Sequence, residues 1–229
     1  VTLLDTLLVV SGSQQRPVTQ LTLRSLVFTA TRQTMLDGRW STPSGGDWAL
    51  NRNGAVHVQG SEGLLVERCT FTRLDNTALL LSRYNRRASL SQNEFVWLGQ
   101  SAMAAWGETD GVDGTGGDQP RGTQVVGNLC HEIGHYQKQS SCWFQAKTAL
   151  TTLRANLFFN GPRALVNFND GFGGGNVVED NLMFNACRDS GDHGPFNSWD
   201  RQPFLSEANG ASLTLTLTLT LTLTLTLTL

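Results

Sequence analysis

The chain has 229 residues, a net charge of −2 and only 16% charged residues, against about 25% in typical globular domains. This length suits one domain or one elongated solenoid and is too short for two large domains. The weak charge gives no indication of a nucleic-acid partner, and no apolar run approaches the roughly 18 residues of a transmembrane helix.

An internal repeat begins near the N-terminus and runs through most of the chain. Each copy places a polar or small residue, here termed the key residue, two positions before an apolar one inside a strand-like run. The key residues are Cys69, Asn93, Asn128, Asn156 and Asn181, and Leu26 takes the key position in an earlier, aligned segment. From Cys69 onward their spacings are 24, 35, 28 and 25 residues. Unequal spacing of this kind predicts a β-helix, because insertions bulge out at the turns without disturbing the stack.

A second strand is predicted after each repeat, at 78–82, 102–106, 142–146, 164–168 and 195–199. Stacked asparagine side chains inside the coil would hydrogen-bond to neighbouring rungs, which satisfies their buried amides. Two longer insertions, at about 32–52 and 107–122, interrupt the repeats. Such loops in a compact fold are typically functional or disordered.

The predicted fold is therefore all-β, a right-handed parallel β-helix of about six coils over residues 1–206. Residues 207–229 are predicted to be a low-complexity tail, in which Leu and Thr alternate from Leu213 to Leu229. Such a monotonous segment specifies no strand register. We expect the β-helix to be truncated after about residue 206.

Four cysteines, Cys69, Cys130, Cys142 and Cys187, lie far apart without a C-x-x-C pair. This excludes a dense disulfide framework and a cysteine-based zinc ribbon. We interpret them as buried free thiols that act as small apolar residues.

The segment from His131 to His135 reads HEIGH and matches the H-E-x-x-H motif of zinc peptidases. That motif requires a helix, whereas these residues begin inside a predicted strand and include Gly134, which weakens a helix. A chance match is favoured, and a zinc metallopeptidase is kept as a minor alternative.

The insertion at 107–122 carries four carboxylates, Glu108, Asp110, Asp113 and Asp118. They could supply oxygen ligands to Ca²⁺, but they lack the spacing of an EF-hand, and a solvated acidic loop is favoured. We therefore predict no cofactor, with Ca²⁺ as the open alternative.

Polar residues recur in register with the repeat and indicate a sugar-binding groove. Seven residues after successive key residues come Asn76, Gln100, His135, Arg163 and Arg188. Further candidates for substrate binding near the second strands are Lys147, Asn169, His193, Trp199 and Asp200. Mixed carboxylates, amides, cations and indoles suit a sugar chain; the alternative is the solvated exterior of a solenoid.

Two carboxylates, Asp170 in NFNDGFGGGN and Asp192 in RDSGDHGPF, lie about one coil apart. Side chains on adjacent rungs would fall within the roughly 5–9.5 Å that glycoside hydrolysis uses. One would act as acid and the other as base or nucleophile. The alternative is that each hydrogen-bonds within its own turn.

Residues from about Val18 to Phe204 resemble pectin-lyase-like β-helix proteins, nearest to β-helical glycoside hydrolases of the family 141 type. The resemblance is carried by GNLCHEIGHYQK, NLFFNGPRA, NDGFGGGNVVEDN and CRDSGDHGPF. It implies a secreted enzyme that hydrolyses a plant or algal cell-wall polysaccharide, with Asp192 in the GDHG turn and Asp170 as catalytic carboxylates. The glycine-rich loop here is longer than that of the family.

Two other functions stay open at this point. In a polysaccharide lyase or epimerase, Lys147, Arg163 or Arg188 would neutralise a uronate while a base removes a proton. In a non-catalytic glycan-binding or adhesion module, the groove would hold the glycan without chemistry.

Overall fold

The computed structural model describes residues 2–41, 48–111, 113–169 and 173–198, together with the backbone of Thr218–Leu219. The described residues form strands joined by short turns, with no α-helix. The all-β prediction is confirmed. Within the same part of the chain, no helix is long and apolar enough to cross a membrane.

Three parallel sheets, visited in turn by the chain, make up the architecture. Sheet A contains, in spatial order, β1 (Leu8–Ser11), β7 (Val56–Glu62), β10 (Leu79–Arg86), β13 (Met103–Trp106), β17 (Trp143–Ala146), β20 (Val166–Phe168) and β23 (Phe196–Ser198), with β2 (Val18–Thr19) beside β7 and β14 (Pro120–Arg121) beside β10. Sheet B contains β3 (Thr22–Arg24), β8 (Leu65–Glu67), β11 (Ser89–Ser91), β15 (Gln124–Val126), β18 (Thr152–Arg154), β21 (Val177–Glu179) and β24 (Thr218–Leu219). Sheet C contains β4 (Val27–Thr29), β9 (Thr70–Leu74), β12 (Glu94–Leu98), β16 (Leu129–His131), β19 (Leu157–Phe159) and β22 (Leu182–Phe184). This is the arrangement of a parallel β-helix solenoid.

Each predicted strand-like run is in fact two strands, one in sheet B and one in sheet C, separated by a corner. A residue with positive φ forms that corner directly before each key residue, and two further such corners lie six residues before and four residues after it. The corner residues are Gln20, Ser25, Ala30, Gly63, Arg68, Arg73, Arg87, Gln92, Trp97, Gly122, Gly127, Glu132, Leu150, Ala155, Asn160, Gly175, Asp180 and Asn185. Seven of these corners carry Gly, Asn or Asp, which tolerate this conformation. The other eleven carry residues that rarely adopt it, and the hydrogen-bonded rungs on both sides hold those corners in place.

The predicted asparagine ladder is confirmed. The backbone N–H of Asn93 donates to Asn128 Oδ1 at 3.0 Å, and that of Asn128 donates to Asn156 Oδ1 at 2.9 Å. Asn156 donates in the same way to Asn181, and Cys69 donates to Asn93. Each asparagine Nδ2 also donates to a carbonyl oxygen of the preceding coil. The ladder therefore links each coil to the next.

The interior of the coil is apolar and closely stacked. Phe28, Phe71 and Phe95 stack with ring centroids 4.8 and 4.7 Å apart on successive rungs. The interpretation that all four cysteines are free is wrong for Cys130 and Cys142, which form a buried disulfide with a Cα–Cα distance of 5.9 Å. Cys69 and Cys187 are free. Cys130 on β16 and Cys142, just before β17, meet inside the coil. The spacing of the cysteines along the chain did not predict this contact.

The insertion at 32–52 contributes a cover for the outer face of sheet A. Its β5 (Trp40–Ser41) and β6 (Leu50–Asn51) pair antiparallel. A second apolar cluster then forms outside the coil from Trp48, Leu50, Leu80, Ala104, Trp106, Phe144 and Ala146. Trp48 is 1% exposed and stacks on Phe144 at 5.8 Å. This packing places an indole beside the last coils.

The predicted Leu-Thr tail has a described backbone only at Thr218–Leu219, which pairs in parallel with Val177–Val178 of sheet B. The predicted domain boundary at 206 and 207 lies outside the described residues.

Candidate functional site

Asp192, the predicted catalytic residue, sits in a cluster with Trp48, Arg163 and His193, here termed the Asp192 cluster. Arg163 Nη2 lies 2.6 Å from Asp192 Oδ2, and the Asp192 side chain is 72% exposed whereas that of Arg163 is 10% exposed. The hydrogen bond from Arg163, followed by one from His193, holds the pKa of Asp192 below its usual value. The ionised form suits a base or nucleophile rather than a general acid.

Residues from the insertion and the last coils hold Arg163 in place. Its guanidinium lies 5.3 Å from the centre of the Trp48 ring, and its carbonyl oxygen accepts a hydrogen bond from Cys187 N at 3.0 Å. His193 Nδ1 lies 3.1 Å from Asp192 Oδ1, and its ring is 6.0 Å from that of Trp48. The carboxylate is therefore presented to solvent on a buried and rigid support.

Buried N–H donors surround this cluster. Trp48 Nε1, Arg163 Nε and Asn167 Nδ2 have no hydrogen-bond partner among the described residues. Asn167 pairs in register with Phe144, the residue on which Trp48 packs. Leaving such donors unpaired costs about 1–3 kcal/mol each.

A pocket of about 270 Å³, here termed the corner pocket, lies between sheet C and sheet A. Its lining includes Glu132, His135, Lys138, Asn160, Arg188 and Asp189. Arg188 Nη1 is 3.0 Å from Glu132 Oε2, and Asn160 Nδ2 donates to Glu132 Oε1 at 2.6 Å. Lys138 Nζ lies 3.2 Å from Asp189 Oδ2. The pocket is therefore polar, and its opposite charges are matched in pairs.

An aromatic pair borders the corner pocket. The His135 ring stacks on Trp97 with centroids 5.6 Å apart, and Trp97 is 50% exposed. Burial raises the pKa of Asp75, whose charge interacts with His135. Flat ring surfaces next to hydrogen-bonding groups suit a ligand with one apolar face and many hydroxyls.

The residues seven positions after the key residues do not all face one groove, as the sequence had indicated. Asn76 and Gln100 are buried and each is 1% exposed, with hydrogen bonds to Thr31 and Thr34. The other three residues lie at two different sites. His135 and Arg188 line the corner pocket, whereas Arg163 binds Asp192. The strand of sheet A begins 10 residues after Cys69, Asn93 and Asn156 but 15 residues after Asn128 and Asn181, so the same offset places His135 and Arg188 elsewhere.

The remaining predicted site residues lie elsewhere. Lys147 follows β17, and its carbonyl oxygen approaches Gly107, whereas Asn169 is buried directly after β20. Asp170, Trp199 and Asp200 lie outside the described residues.

The HEIGH segment does not form the helix of a zinc peptidase. His131 belongs to β16 and stacks on Phe159 at 4.7 Å, while His135 stacks on Trp97 and Glu132 binds Arg188. In the described part of the chain, no group of three or more His, Cys, Asp or Glu side chains is placed to hold a metal ion. The arrangement therefore gives the zinc alternative no support.

The acidic insertion at 107–122 uses its carboxylates to hold the loop. Glu108 Oε1 lies 2.7 Å from Arg52 Nη2, and Asp118 Oδ1 accepts a hydrogen bond from Tyr84 N at 2.9 Å. Asp113 caps its own turn by accepting from Thr115 N at 2.8 Å. All four carboxylates line one open pocket of about 350 Å³, but among the described residues no three are placed to hold a metal ion.

Sequence reasoning missed Trp48, Trp97, Glu132 and Asn160. The last three had a readable signal, because each lies four residues after a key residue, at one corner of the coil. Trp48 had no such signal, since it lies in an insertion outside the repeat.

Comparison with family models, with curated proteins and with solved structures finds no match for this chain. The geometry of its own residues therefore carries the functional argument.

Proposed function

We propose that this protein is a secreted, carbohydrate-active right-handed β-helix of about six coils that hydrolyses glycosidic bonds of a plant or algal cell-wall polysaccharide. The observation that carries the proposal is Asp192, an exposed carboxylate fixed by the buried Arg163. The handedness follows from the strong preference for right-handed crossovers between parallel strands, about 98%.

The chemistry assigned to Asp192 follows from its charge. With its pKa lowered by Arg163, it stays ionised and acts as base towards water or as nucleophile towards the anomeric carbon. Asp170 is the proposed partner acid, from the resemblance and from its position about one coil before Asp192.

Secretion is supported by the disulfide between Cys130 and Cys142. Disulfides persist in oxidising compartments and are rare in the cytosol. Reducing conditions inside the cell would remove this cross-link.

The test of hydrolysis is a screen of the purified protein for new reducing ends on a panel of wall polysaccharides. We expect release from at least one glycan, and a loss of 10³-fold or more in kcat for Asp192→Asn, on the order of the effect of removing a catalytic group. Asp180→Asn, at an exposed corner carboxylate of the same coil outside the Asp192 cluster and the corner pocket, is the control and should retain most of the activity. Equal activity of wild type and Asp192→Asn would overturn the assignment.

A non-catalytic glycan-binding module is the second candidate, and the exposed Trp97–His135 pair beside the corner pocket favours it. Glycan affinity without release of reducing ends from any substrate would establish it. The lyase alternative has less support, because Arg163 and Arg188 are each paired with a carboxylate. An unsaturated product that absorbs in the ultraviolet would identify a lyase.

A further inference from the structure

We infer that the corner pocket binds an uncharged sugar unit against the ring of His135, which lines the pocket and stacks on Trp97. This inference rests on the proposed function, since it names the substrate class of a carbohydrate-active protein. It concerns binding rather than bond cleavage, so the two can be tested separately.

The size and the lining of the corner pocket suit a sugar. Its volume of about 270 Å³ lies just below the range of small-molecule sites, about 300–1,000 Å³. Glu132 and Asp189 supply acceptors, whereas Arg188 and Lys138 supply donors. Sugar hydroxyls both donate and accept hydrogen bonds, so they can use both kinds of group.

Charge balance argues for a neutral ligand. Arg188 is paired with Glu132 at 3.0 Å and Lys138 with Asp189 at 3.2 Å. A uronate entering the pocket would have to displace a carboxylate from its cation and would face repulsion from it. Asp75, on the His135 side, adds a further carboxyl group. The pocket therefore has no surplus cation for an acidic sugar.

The aromatic side of the corner pocket is where we expect the apolar face of a sugar to pack. Trp97 is half exposed, and His135 both lines the pocket and stacks on the indole. An apolar sugar face can pack on the His135 ring while the hydroxyls reach the polar lining residues. Truncation of Trp97 would remove the ring on which His135 stacks and leave the charged pairs intact.

The experiment is affinity electrophoresis of the full chain in gels containing arabinoxylan, glucomannan or arabinan as neutral probes, and polygalacturonate as the acidic probe, all at physiological salt. We expect retardation by at least one neutral polysaccharide and none by polygalacturonate. Trp97→Ala should weaken neutral binding tenfold or more, while Trp97→Phe retains most of it. Phe184→Ala, which truncates another partly exposed ring on sheet C, should bind as wild type. Thermal melts show whether each variant is folded.

A second variant tests the charge argument directly. Glu132→Gln removes the carboxylate paired with Arg188, and we expect this variant to gain retardation by polygalacturonate. The inference is overturned if no neutral gel retards the wild type, if polygalacturonate retards it most, or if Trp97→Ala binds as wild type.

These results separate the inference from the proposed hydrolysis. Trp97-dependent binding without release of reducing ends would leave the inference standing and reject hydrolysis. Hydrolysis that depends on Asp192 but is unchanged in Trp97→Ala would support the proposed hydrolysis and reject the inference.

Discussion

Asn128 is a central residue of the ladder, and its side chain serves two neighbouring coils. Its Oδ1 accepts from Asn93 N at 3.0 Å, and its Nδ2 donates to Leu90 O at 2.9 Å. Removing the amide leaves the buried N–H of Asn93 unpaired, at about 1–3 kcal/mol, whereas Leu90 O stays in the ladder between β11 and β15. The repeat register was enough to predict this contact, because rungs stack directly above one another.

We expect Asn128→Ala to lower the free energy of unfolding by about 1–3 kcal/mol. Asn185→Ala is the control, since Asn185 is exposed and donates to Asn160 on the surface; its cost should stay below about 1 kcal/mol. Urea denaturation measures both. Similar costs for the two variants would contradict a structural role for the ladder.

Gly127 tests the energetic cost of a corner. Its φ is +66°, and an added Cβ would meet nothing closer than Gln92 Cγ at 3.8 Å, so sterics beyond the backbone play no part. We expect Gly127→Ala to destabilise the fold by about 1 kcal/mol, the cost of a left-handed L-residue less the gain from a stiffer unfolded chain. Gly38→Ala, at an open site without positive φ, should be neutral or slightly stabilising. Thermal unfolding measures the stability of both variants relative to the wild type. If Gly127→Ala is as stable as Gly38→Ala, an L-residue at this corner carries no strain.

The pairing of Arg163 with Asp192 sets the pH dependence of the proposed activity. Because the folded pKa of Asp192 is lowered, its charge is present above that pKa and is lost as the pH falls through it. The acidic limb of kcat/KM should therefore lie below the ordinary Asp value of about 3.9.

Arg163→Met should move that limb to higher pH, because the carboxyl loses its main donor. Lys138→Met, which removes a cation next to the neighbouring turn, is the control and should leave the limb in place. A limb that stays fixed in Arg163→Met would show that Asp192 is not the titrating group.

At the scale of elements, the disulfide fixes one side of the corner pocket, and the insertion at 32–52 supplies Trp48 to the Asp192 cluster. The Cys130–Cys142 bond closes a loop with a sequence separation of 12, and this loop carries His135 and Lys138 of the corner pocket. The insertion brings Trp48 onto Phe144 and Arg163. Neither contact has a counterpart in the repeat, which is why sequence periodicity did not predict it.

We expect the double variant Cys130→Ala, Cys142→Ala to lose about 3 kcal/mol of stability, from the loop-closure entropy that the cross-link removes from the unfolded chain. Alkylation of the denatured, unreduced wild type should label only Cys69 and Cys187. Labelling of all four cysteines would show that the bond does not form. Cys187→Ala is the control variant and should cost less, because Cys187 is not fully buried.

At the scale of the whole molecule, the solenoid is close to one-dimensional, because each coil contacts chiefly its neighbours. Stability in such a stack is a sum of coil and interface terms, and the end coils open at lower free energy than the middle. The described part of the last coils fits this view: Met183 is only partly buried at the inward-facing position where Phe95, in the middle of the stack, is fully buried.

We therefore expect Asn181→Ala to cost at least about 1 kcal/mol less than Asn128→Ala, although both remove the same amide. Hydrogen exchange should also be faster for the amides of β22 than for those of β12. Equal costs and equal exchange would indicate that the β-helix unfolds as a single unit.

The sequence by itself determined the all-β class, the register of the coils, the asparagine ladder and most of the strands of sheet A. It could do so because stacking converts a repeat along the chain into contacts between neighbouring rungs. Only the tertiary structure decided the disulfide, the Trp48 cover, the ion pair of Asp192 with Arg163, and the placement of Trp97 beside the corner pocket. These contacts join insertions and corners of unequal length, for which a distance along the chain does not specify a distance in space.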